Sequence, residues 1–381
     1  MLPLEGVTVV SLEQAVAAPF ATRQLADLGA RVIKVERPAG DFARGYDATV
    51  NGLSSHFVWT NRSKESIALD LKDPDDRRAM DKLLAKADVF VQNLAPGAAA
   101  RLGLSAEELR ARDPRLIVCD VSGYGSAGPY RDRRAYDLLV QCETGLVSIT
   151  GSPDEPAKTG VSTAGIAGGM YAFSGVLTAL YERERTGVGT AFEVSLFEAL
   201  GEWMGYPHYF AAYGGTPPKR TGARHAAIAP YGPFEAGDCA QVFLGVQNER
   251  EWVKFCGQVL RLPELANDPR FAGNPERVEH LAELEAAIRA VFGELTGAEI
   301  EQRLDEAGIA NARMRTMREF AEHPQLAARE RWREVDTPNG KINALLPPVT
   351  VPGREPRMDP VPRIGQHTAE ILAELGEGPL G

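Results

Sequence analysis

The sequence is poor in the features that mark secreted, membrane-spanning and nucleic-acid-binding proteins. It has only four cysteines in 381 residues, and none of them forms a Cys-x-x-Cys pair. No apolar run approaches the roughly 18 residues that a transmembrane helix needs. The net charge is −10, so the chain lacks the surplus of Lys and Arg that binds a nucleic-acid backbone. We therefore expect a reduced, cytoplasmic protein without a signal peptide, a nucleic-acid partner or a membrane partner.

Motifs that hold metals or nucleotides are also scarce. The sequence contains no P-loop, HExxH motif, EF-hand loop, zinc spacing or GxSxG elbow, and its six histidines are scattered. We expect no metal site. Residues Gly123–Gly128 match GxGxxG, but Pro129 and the charged run Arg131–Arg134 follow where a dinucleotide site needs a helix. This segment is predicted to be a structural glycine-rich loop.

The first 125 residues alternate short apolar runs with helical patterns. At 381 residues the chain is long enough for two domains. Asp73 followed by Pro74, and Ser105 followed by Glu108, are typical of helix starts. This alternation predicts an α/β fold with a parallel, doubly wound sheet. Strands are predicted at 7–12, 31–36, 66–71, 88–91 and 116–121.

The composition and the pattern of predicted elements change after residue 213. Helices are predicted at 165–185 and 192–213, and a Gly- and Pro-rich linker at 214–224 precedes a smaller unit at 225–325. That unit has a strand at 241–246 and a capping box from Thr296 to Glu299. Residues 338–362 hold seven prolines and are predicted to be an extended return connection. A last helix after Thr368 completes a domain layout of 1–213, 214–224, 225–325 and 326–381.

Three cations occur near the predicted strand ends. Arg37 follows the second strand, Lys64 precedes the third, and Arg101 lies a few residues after the fourth. Ligands of doubly wound sheets bind at the carboxyl ends of the strands. Together these three side chains predict a site for an anionic, phosphate-bearing ligand, although each one alone is typical of a solvated surface charge.

Several long segments, in the same order, resemble the family III CoA-transferases, the superfamily of formyl-CoA transferase, carnitine CoA-transferase and α-methylacyl-CoA racemase. The resemblance runs nearly from end to end. It is carried by LEGVTVVSLEQAVAAPFATRQLADLGARVIKVERP, NRSKESIALDLK, VQNLAPGAAARLGL, VSGYGSAGPYRDRRAYDLLVQ, AGGMYAFSGVLTALYERERTGVG and RTGARHAAIAPYGPF.

The resemblance implies a large Rossmann-like domain built from both chain ends, a small α+β domain between them, and an interlocked homodimer. It also implies that coenzyme A or acyl-CoA binds as a substrate, with no permanently bound cofactor. The residues that it places in contact with CoA are Ala15, Val16, Ala17, Arg37, Lys64, Asn93, Leu94, Ala98, Arg101 and Arg134.

The family mechanism uses an aspartate that attacks the acyl-CoA thioester, and this sequence departs from the pattern at that point. The matching position, four residues before the second Gly of the GGM run, is Gly165. Glycine has no side chain and cannot act as a nucleophile. Three explanations stay open. The position has been altered to inactivate the protein, the chain is a natural homologue with different chemistry, or the register differs and Asp137 or Glu143 serves instead.

Asp137 lies where the family has a residue near the active site, and its alternative interpretation is a helix-start acid. The racemase branch has a His just before this Asp, but this chain has Tyr136. The leading hypothesis is a CoA-transferase acting on an acyl-CoA and a small carboxylic acid, impaired as the sequence stands. The segments Lys219–Arg224 and Arg133–Arg134 favour a C4–C5 dicarboxylate acceptor. The alternatives are a non-catalytic CoA-binding homologue and an acyl-CoA racemase or isomerase.

Overall fold

The structure, a computed structural model, describes residues 1–377. The chain divides into two compact units. Unit 1 contains Met1–Gly145, Thr159–Gly205 and the described residues from Leu326 onward, whereas unit 2 contains Leu146–Lys158 and Tyr206–Gln325. The division differs from the predicted boundaries, because residues 146–158 and the predicted linker 214–224 both belong to unit 2. The N–H of Gly222 donates to the carbonyl of Gly151 (2.8 Å), which ties these two segments together.

The strands are β1 (Thr8–Leu12), β2 (Arg31–Glu36), β3 (Lys64–Ala68), β4 (Val89–Gln92), β5 (Ile117–Ser122), β6 (Ala191–Ser195), β7 (Tyr231–Glu235), β8 (Gln241–Gly245), β9 (Ala310–Arg313), β10 (Trp332–Thr337) and β11 (Gly340–Leu345).

The α-helices are α1 (Ala17–Asp27), α2 (Ser55–Asn61), α3 (Pro74–Leu84), α4 (Ala98–Arg101), α5 (Ala106–Arg112), α6 (Asp137–Glu143), α7 (Leu146–Ile149), α8 (Thr163–Thr186), α9 (Leu196–Trp203), α10 (Gly205–Gly214), α11 (Glu249–Lys254), α12 (Asn274–Glu279), α13 (Leu281–Phe292), α14 (Gly297–Ala307), α15 (Met317–Ala321), α16 (Pro324–Ala328) and α17 (Thr368–Glu374).

Unit 1 is built on a six-stranded sheet of order β3-β2-β1-β4-β5-β6, in which every pair is parallel. Alternate residues of each strand face opposite sides of the sheet. Val10 and Phe90 pack with α3, α5 and α17 on one face. Val9 and Val89 pack with α1 and α8 on the other. Both faces are therefore covered, and the predicted parallel, doubly wound α/β sheet is confirmed.

Unit 2 is a smaller α+β assembly. Its antiparallel sheet has the order β7-β8-β9. Val242 and Leu244 of β8 point into a core that includes Trp252, Phe255 and Phe292 from the surrounding helices. A separate apolar core of this kind is what a unit of this size needs to be stable.

The predicted helix starts have the expected hydrogen bonds. The Asp73 carboxylate accepts from the N–H groups of Asp75 and Asp76, and Pro74 occupies the first turn of α3. Ser105 and Thr296 each form a complete capping box with the glutamate three residues later. These three starts are local interactions, which is why the sequence alone predicts them.

The prediction of one long helix over 192–213 is wrong. Residues 191–195 form the edge strand β6, and two shorter helices follow. The alternating, β-branched and aromatic segment Ala-Phe-Glu-Val-Ser suits a strand. Ser195 then accepts a hydrogen bond from the N–H of Glu198 and begins α9.

The proline-rich return segment is also more regular than predicted. Residues 332–345 form an antiparallel hairpin, in which Thr337 pairs with Gly340 around Pro338 and Asn339. Val335 of this hairpin packs with Phe57 and Val361 in a small apolar cluster. The segment was predicted to be extended because its prolines obscure the alternation of β10 and β11.

The C-terminal part of unit 1 covers one edge of the sheet. The N–H of His367 donates to the carbonyl of Ser66 (2.9 Å) in the edge strand β3. The N–H of Ala68 donates to Thr368 Oγ1 (3.0 Å), and Ile371 and Leu372 are buried in the core beyond. The last helix is therefore docked, and edge strand β3 is protected from pairing with another chain.

Helix α8 is long and apolar enough to cross a membrane by length and composition alone. Half of its apolar window is buried in the structure, where α8 crosses α1 beside the sheet. Core helices commonly meet the same criteria. The crossing is close because small residues meet there. A Cβ atom built on Gly169 would lie 2.7 Å from the carbonyl oxygen of Ala17.

Gly169→Ala tests this close packing. The added methyl group would force α1 and α8 apart, so we expect a loss of about 1–3 kcal/mol in the free energy of unfolding. Gly201→Ala is the matched control, because a Cβ atom at Gly201 of α9 meets nothing within 4 Å. We expect it to be neutral or to stabilise by up to about 1 kcal/mol. Denaturant unfolding followed by circular dichroism measures both, and equal stability of the two variants would contradict the packing.

Candidate active site

The strand order of the sheet reverses between β1 and β4. In open parallel sheets ligands bind at such a switch point, outside the carboxyl ends of the strands. The segment 13–16 leaves β1 here and enters α1, and the segment 93–97 leaves β4 and enters α4. Six of the predicted CoA contacts therefore lie on or directly after these two segments, namely Ala15, Val16, Ala17, Asn93, Leu94 and Ala98.

Asn93 joins the two segments. Its side-chain oxygen accepts from the N–H of Gln14 (2.8 Å), and its Nδ2 donates to the Gln14 carbonyl (2.8 Å). The next residue, Ala15, has a φ of 60°, in the left-handed region that few non-glycine residues adopt. Its N–H donates to Asp41 Oδ1 (3.3 Å), which holds the turn. A strained turn that several contacts fix in place is typical of functional sites.

Gly165 lies in the first turn of α8, directly against this turn. The residue is buried, and a Cβ atom built on it would lie 3.3 Å from both Cβ and Cγ1 of Val16. That distance is tighter than ordinary van der Waals contact. The Val16 side chain therefore occupies the space toward which a residue 165 side chain would point. Two residues assigned to the site by resemblance are thus neighbours in the structure.

Asp137, the first residue of α6, contacts the backbone of Gly165. Its Oδ1 accepts from the backbone N–H of Gly165 (2.9 Å), and its Oδ2 accepts from Nε2 of Gln141 (2.6 Å). Gln141 is fully buried, and its Oε1 accepts from the N–H of Thr159 (3.1 Å). Asp137 therefore fixes the backbone of residue 165, and both of its oxygens are engaged.

Three of the predicted cations are exposed. Arg37 follows β2 and its Nε donates to the Gly40 carbonyl (3.0 Å), close to the end of the strand. Arg101 ends the short helix α4 that begins at Ala98, and Arg134 lies in the loop before α6. Arg37 and Arg101 follow the carboxyl ends of β2 and β4, as predicted from the sequence.

Lys64 differs from these cations because it is buried, and its predicted contact with CoA stays a prediction. Lys64 is the first residue of β3, so it lies at the amino end of a parallel strand. Its ammonium is buried and donates to Glu13 Oε1 (2.6 Å), the Pro19 carbonyl (3.0 Å) and Asn61 Oδ1 (3.1 Å). All three N–H donors have a protein acceptor, which leaves none for a phosphate.

Glu13 connects Lys64 to a second buried lysine beneath the β1–α1 turn. Lys34 Nζ lies 3.5 Å from Glu13 Oε1 and 3.0 Å from Asp41 Oδ2. Burial raises the pKa of Glu13, but Lys64 and Lys34 outweigh it and hold this pKa below its usual value. Burial lowers the pKa of Lys64 to about 8 despite its pairing with Glu13. These groups stabilise the floor of the turn.

The cations that favoured a dicarboxylate acceptor are largely engaged as well. Arg220 donates to the carbonyls of Ser152 (2.9 Å), Ser148 (3.4 Å) and Pro153 (3.0 Å). Arg224 pairs with Glu285. Arg133 stacks over the Tyr130 ring and lies 3.4 Å from Glu143, the other acid considered from the sequence. Arg220 and Arg224 thus have structural partners, whereas Lys219, Arg133 and Arg134 are the exposed cations of this set.

Sequence reasoning missed Glu13, Gln14 and Gln141. Glu13 and Gln14 directly follow a buried strand, which is a signal that could have identified them. Gln141 occurs one helical turn after Asp137, a spacing that allows the two side chains to meet. Its bond to Thr159 joins residues 18 apart, and no local pattern predicts it.

The described residues also bear on metal and dinucleotide binding. Among residues 1–377, no group of three His, Cys, Asp or Glu side chains could hold a metal ion. The Gly123–Gly128 segment follows β5 as a loop, and the next helix begins only at Asp137. The loop therefore lacks the helix that a dinucleotide site needs.

Lys64→Met distinguishes a structural lysine from one that contacts ligand. Removing its ammonium leaves the buried Glu13 with one lysine fewer, so we expect a loss of about 3–5 kcal/mol in the free energy of unfolding. Arg101→Ala is the matched control, because its charge is exposed and its stability change should stay within about 0.5 kcal/mol. Thermal unfolding and calorimetric CoA titration measure both. A stable Lys64→Met protein that has lost only CoA affinity would contradict this assignment.

Comparison with known proteins gives one family. A sequence model of CoA-transferase family III matches residues 4–368. A succinyl-CoA:glutarate CoA-transferase of Mus musculus is 34% identical over 380 residues, which cover 98% of this chain and 87% of that protein. An acetyl-CoA:oxalate CoA-transferase of Acetobacter aceti is 38% identical over 330 residues, or 86% of this chain and 84% of that protein.

Solved structures agree. A CAIB/BAIF family protein from Brucella suis is 33% identical, with a TM-score of 0.84 and coverage of 98% of this chain and 99% of that one. The protein Rv3272 of Mycobacterium tuberculosis is 29% identical, with a TM-score of 0.86 and the same coverage. The match extends over both units and includes the strands around the β1–β4 switch point. The chain belongs to CoA-transferase family III.

Proposed function

We propose that this scaffold moves CoA from an acyl-CoA to a small dicarboxylic acid, and that the chain as it stands does so only slowly. One observation carries the proposal. The first turn of α8, where the family resemblance locates the nucleophilic aspartate, lies against Val16 of the β1–α1 turn, and Asp137 accepts the residue 165 N–H, yet residue 165 is a glycine. The backbone of a nucleophile site is present, and its side chain is missing.

With an aspartate at residue 165, the reaction is a chain of acyl transfers. The carboxylate attacks the thioester carbonyl, the C–S bond breaks, and its electron pair leaves with the CoA thiolate. The thiolate attacks the aspartyl carbonyl of the resulting anhydride and expels the donor acid. The acceptor carboxylate then attacks the enzyme thioester and again releases the thiolate. The thiolate takes the acyl group of the acceptor and frees the aspartate. The covalent route thus divides one difficult exchange into several easier acyl transfers.

Asp137 is poorly suited to take over this attack. One of its oxygens accepts from the Gly165 N–H and the other from the Gln141 amide. Attack by either oxygen would give up a hydrogen bond at a partly buried position, and leave a buried donor without a partner. We assign Asp137 the role of positioning residue 165. The buried Gln141 holds Asp137 in turn.

The CoA moiety is assigned to the carboxyl edge of the sheet. The exposed guanidinium groups of Arg37, Arg101 and Arg134 provide charge for its phosphates. The turn at Ala15–Ala17 and the segment from Asn93 to Ala98 provide the walls. CoA acts here as a substrate, and we assign no permanently bound cofactor.

The acceptor class rests on the relatives and on one cation. The related enzymes act on glutarate, oxalate and, in Chloroflexus aurantiacus, D-citramalate, according to their names. A dicarboxylate offers a second carboxylate to a guanidinium, and the exposed Arg134 is the candidate, since the neighbouring Arg133 already pairs with Glu143. We also assign a cytoplasmic location and a homodimer. Both follow from the composition and the family resemblance.

A non-catalytic CoA-binding role is the second candidate, and the Val16–Gly165 contact favours it. Val16 lies so close to Gly165 that a Cβ atom there would have to displace it by a few tenths of an ångström, which favours a glycine at this position. Such a protein would bind CoA and would gain no activity from an aspartate. Racemase or isomerase chemistry has less support, since Tyr136 replaces the histidine of that branch.

Gly165→Asp tests the proposed transferase. We expect CoA exchange to rise by at least about 10³-fold, because the variant restores a covalent nucleophile. Val16→Ala should be combined with it, since Val16 must otherwise yield to the new Cβ atom. Mass spectrometry of product thioesters, from a pool of acyl-CoA donors and short acids, measures the rate and names the substrates.

Gly165→Asn is the control for this experiment, since it adds nearly the same volume without a nucleophile and should stay at the background rate. Equal rates for the Asp and Asn variants would overturn the nucleophile assignment. CoA binding with no gain in any aspartate variant would favour the non-catalytic role. Solvent deuterium at the acyl α-carbon would point to the isomerase.

Asp137→Ala in the Gly165→Asp background tests the positioning role. Loss of the acceptor for the residue 165 N–H should misplace the nucleophile and lower kcat by on the order of 10²-fold, with KM little changed. Asp137→Asn is the graded comparison. Its amide oxygen can still accept that hydrogen bond, but its NH2 group faces the Gln141 Nε2 donor, so we expect a smaller loss than for Asp137→Ala. Steady-state kinetics of the three proteins measure this. Equal losses in both variants would contradict a role through the hydrogen bond to residue 165.

A further inference from the structure

A polar pocket of about 280 Å³ lies at the amino ends of β2 and β3. The first two residues of each strand line one side of it, and residues between 357 and 367 line the other. All of these residues belong to unit 1. The pocket is slightly smaller than the roughly 300–1,000 Å³ that hold drug-sized ligands. It lies at the opposite edge of the sheet from the carboxyl ends to which CoA is assigned, so any ligand here is small and separate from CoA.

The charged side chains of the two strands already have partners. Arg31 of β2 donates to both oxygens of Glu65 and to both oxygens of Glu374. Lys64 of β3 uses its three donors on Glu13, Asn61 and a carbonyl group. These residues form a wall with a fixed arrangement. The groups that remain for a ligand come from the loop before β3 and from the chain after residue 356.

Arg357 is held in place, yet part of its guanidinium is unused. Its backbone N–H donates to the Asp27 carbonyl (3.0 Å), and its Nη1 donates to the Ala30 carbonyl (3.0 Å). Its Nε lies 3.5 Å from Asp359 Oδ2. Within residues 1–377, Nη2 has no hydrogen-bond acceptor. A guanidinium fixed through one side keeps its other donors for an anion.

His367 supplies a second fixed donor. Its Nδ1 accepts from the N–H of Ser66 (3.0 Å), and its own backbone N–H donates to the Ser66 carbonyl (2.9 Å). A ring nitrogen that accepts carries no hydrogen, so the neutral imidazole has its hydrogen on Nε2. No acceptor for Nε2 is found in the described part of the chain. The ring therefore presents one N–H at the wall of the pocket.

Ser63 is the third donor, and its backbone is strained. It is 8% exposed and has a φ of 61°, in the left-handed region. Its N–H donates to the carbonyls of Asp359 and Pro360 (both 3.1 Å), and its Oγ accepts from the Asp359 N–H (2.8 Å). The hydroxyl hydrogen has no acceptor among the described residues. A strained, buried residue with an unused hydrogen is typical of a binding site.

We propose that this pocket binds a small oxyanion, such as inorganic phosphate or a short carboxylate. Arg357 Nη2, His367 Nε2 and the Ser63 hydroxyl are donors of three kinds that lack acceptors, and an oxyanion has several lone pairs to offer them. The lining holds three cations and two carboxylates, and the carboxylate of Asp359 is 65% exposed to water. The bound anion would join the chain after residue 356 to the start of β3. The proposal is independent of the catalytic assignment.

Thermal unfolding of the full chain tests the site. Melting is followed in sodium phosphate, sodium succinate and sodium chloride at one pH and one ionic strength. A ligand that binds only the folded state raises the melting temperature along a saturating curve, from which a Kd is fitted. We expect this with phosphate, with succinate or with both, relative to chloride. Stabilisation by phosphate alone identifies a phosphate site, and stabilisation by succinate alone a carboxylate site. No gain over chloride with either anion would overturn the proposal.

Variants locate the binding. Arg357→Gln and His367→Asn should each weaken the fitted Kd at least about tenfold, because each removes one donor. The asparagine oxygen can still accept from the Ser66 N–H, so this variant removes the Nε2 donor alone. Arg354→Gln is the matched control, since this exposed arginine removes the same charge from the same segment and does not line the pocket. We expect its Kd to be unchanged.

Arg37→Ala combined with Arg101→Ala separates this pocket from the CoA site. These cations follow the carboxyl ends of β2 and β4, so the double variant should keep the stabilisation by the anion. Circular dichroism checks that each variant folds, and His367→Asn decides the outcome if Arg357→Gln does not fold. Equal stabilisation of every variant would overturn the proposal. So would a loss of stabilisation in the Arg37→Ala, Arg101→Ala protein alone, because the anion would then bind at the carboxyl edge.

Discussion

The close approach of α8 to the β1–α1 turn is the constraint on which the rest of the site depends. Gly169 allows the two helices to cross with backbone almost in contact, and Gly165 lies one turn earlier against Val16. Asp137 then fixes the residue 165 N–H from the other side. A residue at 165 is therefore held between a helix crossing, a strained turn and a carboxylate. This degree of preorganisation suits a nucleophile, whose position must be correct within fractions of an ångström.

The turn itself depends on buried charge. Glu13, Lys34, Lys64 and Asp41 form a network beneath it, with each lysine bonded to protein acceptors. Removing one member of such a network is far more costly than removing a surface ion pair, because it leaves a charge buried without its partner. The sequence predicts Lys64 as a ligand-binding residue, and in the fold its buried ammonium donates to Glu13, the Pro19 carbonyl and Asn61. The exposed guanidinium groups of Arg37 and Arg101 are left to receive an anion.

Local and periodic signals in the sequence predict the sheet and the helix starts. The alternation of buried strands with helices predicts β1, β2, β4 and β5, and Asp73, Ser105 and Thr296 predict helix starts. Strand β6 and the β10–β11 hairpin were missed, since their alternation is short and lies among helix formers or prolines. The neighbourhood of Val16, Asp137 and Gly165 joins segments far apart in the chain. Residue patterns alone cannot show it, although the family resemblance pointed to each residue separately. Lys64 and Arg220 are hydrogen-bonded to acceptors elsewhere in the chain. These are tertiary contacts, and no local sequence pattern predicts them.

The central claim is that an aspartate at residue 165, with room made for it at Val16, restores a working nucleophile site. Intact-protein mass spectrometry after incubation with succinyl-CoA tests it most directly. The account predicts that the Gly165→Asp, Val16→Ala protein gains a covalent adduct with the mass of CoA less one water, as a thioester requires. Hydroxylamine removes this adduct, and the original chain and the Asn variant gain none. The same adduct on the original chain would locate the nucleophile elsewhere. A chain that binds CoA yet forms no adduct with aspartate at residue 165 would contradict the claim.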